Sequence, residues 1–221
     1  MSKLILMRHG MSVWNEKNIF TGWVDIPLDE KGIEEAIKAG KEMAEEEVDI
    51  IFTSALVRAH MTCFIAMAYN KSDKVCRVFH PEDKLHKGWD HIYSDEETIP
   101  TIMAWQLNER MYGELQGMHK DFIKKTFGDE KFNAWRRSYD TSPPKGESLQ
   151  QTAQRTVPYF QDVILKHIEN GKNVFICAHG NSLRALTMYL EGKSGKEISS
   201  LEIPTAHPII YQYIDGNFVK S

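Results

Sequence analysis

The chain alternates short apolar runs with stretches whose apolar positions recur at helical spacing. Residues 3–8, 49–52, 173–178 and 209–213 are apolar runs of strand length, and 75–79 is a weaker one. Ile33, Ala36, Ile37, Gly40 and Met43 share one face of a helix predicted over 31–46, with Asp29 placed to cap it. A second helix is predicted from Thr53 and Ser54 to about Tyr69. Short helices follow over 119–126 and 129–138. A long one covers 148–168, kinked at Pro158 and closed by Gly171, and another runs from Asn181 to about Leu190. Residues 141–146 read as a rigid, turn-rich linker. This βαβα order predicts an α/β fold, a mostly parallel central sheet with helices on both faces, in a single domain over 1–221.

Two stretches stand outside the pattern. Residues 11–30 have no apolar period and contain Gly22 and Pro27, so they are expected to form a long loop folded over the end of the first strand. Loops of that length in a compact domain are usually functional. Residues 80–101 are polar and aromatic, with His80, His86, Trp89, His91, Tyr93 and the acidic run at 95–97. They read either as an inserted cap or rim over a pocket or as a plain surface excursion. Their histidine spacings match no compact ligand set and no cysteine joins them, so no metal site is expected.

Composition narrows the classes. At 221 residues, 42% hydrophobic and 26% charged, the chain is an ordinary soluble globular protein with enough length for a sizeable core. A formal net charge of -4 gives no sign of nucleic-acid binding, so cations serving a polyanionic substrate must be concentrated locally. No apolar stretch approaches the ~20 residues of a membrane span, and the strand beginning at residue 3 leaves no room for a signal peptide. Cys63, Cys76 and Cys177 are odd in number and lack metal-like spacing, which suits free thiols in a reducing cytoplasm.

The candidate chemistry sits at two strand ends. The run beginning at residue 3 closes in Arg8-His9-Gly10, and the run at 173–178 closes in Ala178-His179-Gly180. In open α/β sheets ligands bind just beyond the carboxyl ends of the strands. A lone histidine there is commonly structural. Two of them, each followed by glycine and one beside arginine, suit a nucleophilic imidazole facing a phosphoryl group.

Arg8-His9-Gly10 followed by Ser12, Trp14 and Asn15 resembles the signature of the histidine phosphatase superfamily. Thr21-Gly22-Trp23, Leu107-Asn108-Glu109-Arg110 with Tyr112-Gly113, Trp135-Arg136-Arg137 and the block 178–184 resemble, within it, the cofactor-dependent phosphoglycerate mutases, over nearly the whole chain. That resemblance implies interconversion of 2-phosphoglycerate and 3-phosphoglycerate, in glycolysis and gluconeogenesis, through a phosphohistidine. His9 is the implied nucleophile, primed by 2,3-bisphosphoglycerate, with no metal required. A charged His179 with Arg8 and Arg58 would clamp the phosphate. Glu109 would be general acid and base, with its pKa raised. Arg110, Lys120, Arg136 and Arg137 would bind the substrate anions. Ser12, Asn15, Thr21, Gly22, Tyr112, Gly180 and Asn181 would add hydroxyl, amide and backbone contacts. The implied partner is a small phosphorylated substrate, with no nucleic acid or membrane and the oligomeric state left open, a homo-oligomer included.

The chain departs from that family in three places. Met11 stands where a glutamate is usual, Ala206-His207 replace a glycine-hydrophobe pair, and the tail ending at Ser221 is short, which raises leakage to phosphatase activity. The 80–101 segment could serve as a lid in place of that tail. A broad phosphatase, a bisphosphoglycerate synthase and a catalytically silent phospholigand sensor remain as rivals; Arg136-Arg137, Ser12 and the joint presence of His9, Glu109 and His179 speak against each in turn.

Overall fold

A computed structural model describes residues 2–78 and 94–221. Strands β1 (Ser2–Arg8), β2 (Ile50–Thr53), β3 (Val75–Val78), β4 (Thr98–Met103), β5 (Val174–Ala178), β6 (Ile209–Ile214) and β7 (Asn217–Lys220) form one sheet in the order β3-β4-β2-β5-β1-β6-β7. Every pairing from β3 across to β1 is parallel, and β6 and β7 add an antiparallel edge. The expected α/β architecture is therefore present.

The two faces of the sheet explain why its central strands are continuously apolar. Leu4, Leu6, Phe52 and Ile176 point one way, into a core closed by Phe160, Ile164, Leu183 and Leu186. Ile5, Met7, Ile51 and Phe175 point the other way, against Ala39, Met43, Cys63 and Ala66. Strands covered on both faces lose the polar alternation of a half-exposed strand. The first cover comprises α5 (Leu149–Tyr159), α6 (Leu165–Glu169) and α7 (Gly180–Glu191). The second comprises α2 (Glu30–Glu42), capped by Asp29 as expected, and α3 (Val57–Met67).

Several expectations are corrected. The interval 98–101 is no inserted cap: it begins β4, which lies between β3 and β2 with Ile99, Thr98 and Thr101 buried. Pro100 and two threonines hid its apolar character from the periodicity. Residues 80–93 of the same segment, with its three histidines, lie outside the described residues. The 11–30 loop contains a short helix α1 (Val13–Glu16), whose cap is Ser12. The second helix begins only at Val57, because Thr53 still belongs to β2.

The two short helices are present as expected, abutting within α4 (Lys120–Arg137) and separated at Gly128, whose φ of 81° no helix accommodates. At Pro158 the helix does not simply kink; it passes through a π-helical turn, Phe160–Ile164, between α5 and α6. Helix α8 (Gly195–Ser200) and strand β7 were not anticipated. The first is fixed by a capping box between Ser194 and Glu197. The second returns from β6 through Asp215 and Gly216, both at positive φ, as a tight hairpin requires. Among the described residues no helix is long and apolar enough to cross a membrane.

Helices α2 and α3 meet at Gly40, where an added Cβ would stand 2.6 Å from the Ala66 carbonyl oxygen and 2.9 Å from its Cα. Helix propensity alone favours alanine over glycine by about 1 kcal/mol. Overpacking against rigid backbone costs roughly 1–3 kcal/mol and outweighs it. Gly40→Ala is expected to lower the thermal unfolding midpoint; a raised midpoint would show that the helices part freely.

Candidate active site

The parallel register of β1 and β5 pairs Arg8 with Ala178, so the residues that follow, His9 and His179, emerge side by side. The backbone N–H of His9 donates to the Ala178 carbonyl at 3.0 Å, and the two imidazoles lie 4.9 Å apart, tilted by 58°. Both are buried, and His9 lines an open cleft with about 760 Å³ of space, part of it solvent.

His9 directs Nδ1 at the Gly10 carbonyl, 2.6 Å away, and among the described residues nothing bonds its Nε2. That contact makes Nδ1 the proton-bearing atom and leaves Nε2 with the lone pair. Burial, then the charges of Arg58 and Arg8, hold His9 well below the usual imidazole pKa, against a smaller opposing effect of the Gly10 carbonyl. The ring is neutral, as a nucleophile must be.

His179 is likewise driven well below its usual pKa, by burial first and then by Arg58, His9, Arg8 and Arg155. The protein's own groups thus hold His179 neutral, contrary to the expectation of a charged ring. Its Nε2 meets Ser54 Oγ at 2.7 Å, and among the described residues its buried Nδ1 has no partner. Ser54 was missed as a site residue. The signal was available, since Ser54 directly follows β2, whose last residue pairs with Cys177.

Arg58 lies in the first turn of α3, almost wholly buried. It donates to the carbonyls of Gly22 (2.7 Å) and Val24 (3.0 Å). In return Asp25 accepts from the N–H of Val57 at 2.6 Å and caps a helix that has no cap of its own. The loop is thereby fastened to α3 from both sides. Burial lowers Arg58 to about 10, against the charges of Glu109 and Asp25, so it stays a cation at neutral pH. Gly22 is at φ 55°, and a Cβ there would fall 2.1 Å from Gln116 Oε1, which accepts from the N–H of Trp23. Only glycine fits.

Glu109 faces the same space. Its Oε1 accepts from Asn181 Nδ2 (2.7 Å) and from the Arg110 N–H (2.7 Å). A Cβ on Gly180 would be 3.6 Å from Arg8 Nε and 3.7 Å from Glu109 Oε2, so both flank that bare backbone. Burial pushes the Glu109 carboxyl up. The Asn181 and Arg110 hydrogen bonds and the charges of Arg8 and Arg58 outweigh it, and the net shift is downward. The protein's own groups thus hold Glu109 ionised, contrary to the expectation of a raised pKa.

Further cations line the same cleft. Lys120 opens α4, and Arg136 and Arg137 end it, so both arginines reach the cleft although neighbours on a helix diverge. Burial, with the charges of Arg136 and Arg8, depresses Lys120. Asn15, Thr21, Tyr112, Gly180 and Asn181 also line the space, as expected, and the N-terminus of α7 opens on it. Arg184 and Glu202 line it as well and were not anticipated. Glu202 pairs with Arg137 at 2.6 Å and with Arg184 at 3.5 Å.

Three expected contacts are placed elsewhere, since Ser12, Arg110 and His179 are absent from the lining. Ser12 is occupied in capping α1, its hydroxyl on Asn15. Arg110 is buried behind the wall, donating to Tyr112 Oη (3.1 Å) and the Arg136 carbonyl (2.9 Å). His179 stands behind His9. Of the departures, Met11 receives a carboxylate on its backbone N–H from Glu35 at 2.8 Å, and Ala206 holds φ 43°, where glycine would be unstrained.

The sequence profile of the Histidine phosphatase superfamily (branch 1) matches residues 4–76 and 91–220. The chain is 52% identical to the 2,3-bisphosphoglycerate-dependent phosphoglycerate mutase of Protochlamydia amoebophila, covering 100% of this chain and 99% of the relative. It is 54% identical to the protein of the same name from Chlamydia pneumoniae, over 100% and 97%. Among solved structures, Bacillus stearothermophilus YhfR superposes with a TM-score of 0.78 at 24% identity, covering 100% of this chain and 96% of that one. A mycobacterial glucosyl-3-phosphoglycerate phosphatase in complex with VO3 gives 0.77 at 20% identity, over 100% and 98%. Those two likenesses speak for the fold alone, whereas the profile and the full-length relatives reach further: this chain belongs to the histidine phosphatase superfamily.

Proposed function

We propose that the chain, as one catalytic unit over 1–221, interconverts 2-phosphoglycerate and 3-phosphoglycerate in the cytoplasm, as a 2,3-bisphosphoglycerate-dependent phosphoglycerate mutase. The observation that carries the reading is the neutral His9, its Nε2 free among the described residues, in one cleft with Arg8, Arg58 and Glu109 that Lys120, Arg136 and Arg137 also line. A phosphatase needs only the first group of residues, and the second group suits the remaining anions of a bisphosphorylated carboxylate. The full-length relatives named as mutases support the same choice.

2,3-Bisphosphoglycerate, when bound, supplies the phosphoryl group that primes His9. The site suits it, because Arg8 Nε and Thr21 Oγ1 are buried polar atoms of the lining with no protein partner. Arg8 and Arg58 would hold the phosphoryl group at His9, and Lys120, Arg136 and Arg137 the other anions. His9 Nε2 forms the P–N bond while the P–O bond to the leaving oxygen breaks. Glu109 gives that oxygen its proton, and takes one back from the accepting hydroxyl when the P–N bond is cleaved.

The depressed Glu109 suits the base half of this cycle. A dianion between Arg8 and Arg58 cancels the charge that depresses it and lifts it toward the acid half. The same dianion would raise His179, whose unpartnered Nδ1 gains a reason to hold a proton. Positive charge from the arginines makes a metal unnecessary to this mechanism.

The activity is tested by converting 3-phosphoglycerate to 2-phosphoglycerate with and without 2,3-bisphosphoglycerate, in the presence of a chelator. The rate is expected to rise with the bisphosphate, survive chelation and vanish in His9→Ala. Phosphate release from several monoesters without isomerisation would assign a phosphatase instead. Glu109→Gln is expected to lower kcat by about 10²–10⁴-fold with the fold intact, and a loss under about threefold would remove Glu109 from proton transfer.

The two buried histidines also set a pH dependence of stability. Both have folded pKa values below the ~6.5 of the unfolded chain, so below that pH the unfolded state takes up protons first. Stability is therefore lost as pH falls from about 7 to about 5.5, by up to about 1 kcal/mol per pH unit for each histidine below 6.5. Glu109, also depressed, acts only below the ordinary glutamate range, outside this window. Thermal unfolding across that interval should show the loss, with a shallower slope in His179→Asn. An unchanged slope in the variant would count against a neutral His179.

A further inference from the structure

Arg155 lies on α5, outside the cleft lining, yet its guanidinium reaches the strip of backbone that carries Glu109. Nη1 donates to the Gln106 carbonyl (2.8 Å), and Nη2 to those of Asn108 (3.1 Å) and Glu109 (2.9 Å). Nη1 also reaches the Trp105 carbonyl at 3.5 Å, and the remaining bonds go to Glu147, Nε to Oε1 at 3.0 Å and Nη2 to Oε2 at 2.9 Å. Glu147 in turn accepts from the N–H of Met111 at 3.1 Å, and the Met111 carbonyl accepts from the Glu147 N–H at 2.8 Å. The pair thus grips the chain on both sides of Glu109.

Trp23 completes the grip. Its indole Nε1 donates to the Glu109 carbonyl at 2.5 Å, so that oxygen has two side-chain donors, and Arg155 lies 5.4 Å from the Trp23 ring. After the short 3₁₀ turn Trp105–Leu107 this strip belongs to no helix or strand, so its carbonyls depend on such donors. The ion pair is largely out of water, with side chains 9% and 21% exposed. Attraction between two desolvated charges barely covers their dehydration, and the added carbonyl bonds make the arrangement favourable.

We propose that Arg155, braced by Glu147, is a positioning residue that sets where the Glu109 carboxyl meets the leaving oxygen. The proposal rests on the mutase reading above. Misplacing a reacting group by about 1 Å costs on the order of 10²-fold. Arg155→Lys keeps the charge but cannot fork across four carbonyls and a carboxylate.

The test compares two phosphoryl donors in single-turnover labelling of His9. With 2,3-bisphosphoglycerate the leaving alkoxide needs a proton from Glu109. With p-nitrophenyl phosphate the phenolate departs without one. Arg155→Lys is expected to slow labelling from the bisphosphate by about 10- to 100-fold, part of the roughly 10²–10⁴-fold that a general acid contributes, and labelling from the aryl ester by less than about threefold. An equal loss with both donors, or no loss with either, would overturn the proposal. Where Arg155→Lys does not fold, Trp23→Phe, which removes one donor from the Glu109 carbonyl, is read by the same criterion. A wild-type protein that labels from neither donor would overturn the mutase reading itself, a result distinct from either outcome in the variants.

Discussion

The site depends on one strand pairing. Because β1 and β5 run parallel in register, with Arg8 opposite Ala178, two histidines distant in sequence leave the sheet at the same level, and the N–H of His9 is tied to the Ala178 carbonyl. A parallel sheet buried on both faces allows no slippage, since a shift of one residue would exchange the two cores built on Leu4–Leu6 and Ile5–Met7. The same apolar packing that holds the domain together therefore sets the distance between the two imidazoles. Ser54, at the end of β2, joins them by the same register.

Around that frame the electrostatics are those of a cleft built for an anion. Buried Arg58 spends its hydrogen bonds on the Gly22 and Val24 carbonyls, so its charge is placed by the loop and its field remains for a ligand. That field, together with burial, keeps both histidines neutral, and with Asn181 and the Arg110 amide it keeps Glu109 ionised. A dianion reverses the Coulomb part of each balance. In the proposed reaction, protonation would thus be coupled to occupancy, which would let one carboxyl serve as base and then as acid.

The fold was legible in the sequence wherever local periodicity carried it. The central runs, the Asp29 cap and the two short helices on either side of Gly128 are short-range signals and were found. Strand β4 was not, because Pro100 and the buried Thr98 and Thr101 give it a polar composition that only its neighbours β3 and β2 make a strand. Strand β7 and helix α8 are held by a hairpin turn and a capping box too short to generate a period. At the site, His9, Arg58, Glu109 and the Arg136-Arg137 pair lie where the motifs implied. Arg110 and Ser12 do not touch the cleft, since a motif marks a residue without saying whether it meets the ligand or supports one that does.

By itself the sequence determined the class of fold and the chemistry available: apolar runs of strand length, histidines at their carboxyl ends, and arginines in the blocks between. These are properties of neighbours along the chain. Only the tertiary structure decided the states of those groups and their supports. Whether His179 is charged, whether Glu109 is protonated, and that Arg155 and Glu147 on one side and Trp23 on the other hold the Glu109 backbone, all depend on burial and on distances between residues far apart in sequence. Charge and desolvation act through space, so no reading along the chain contains them.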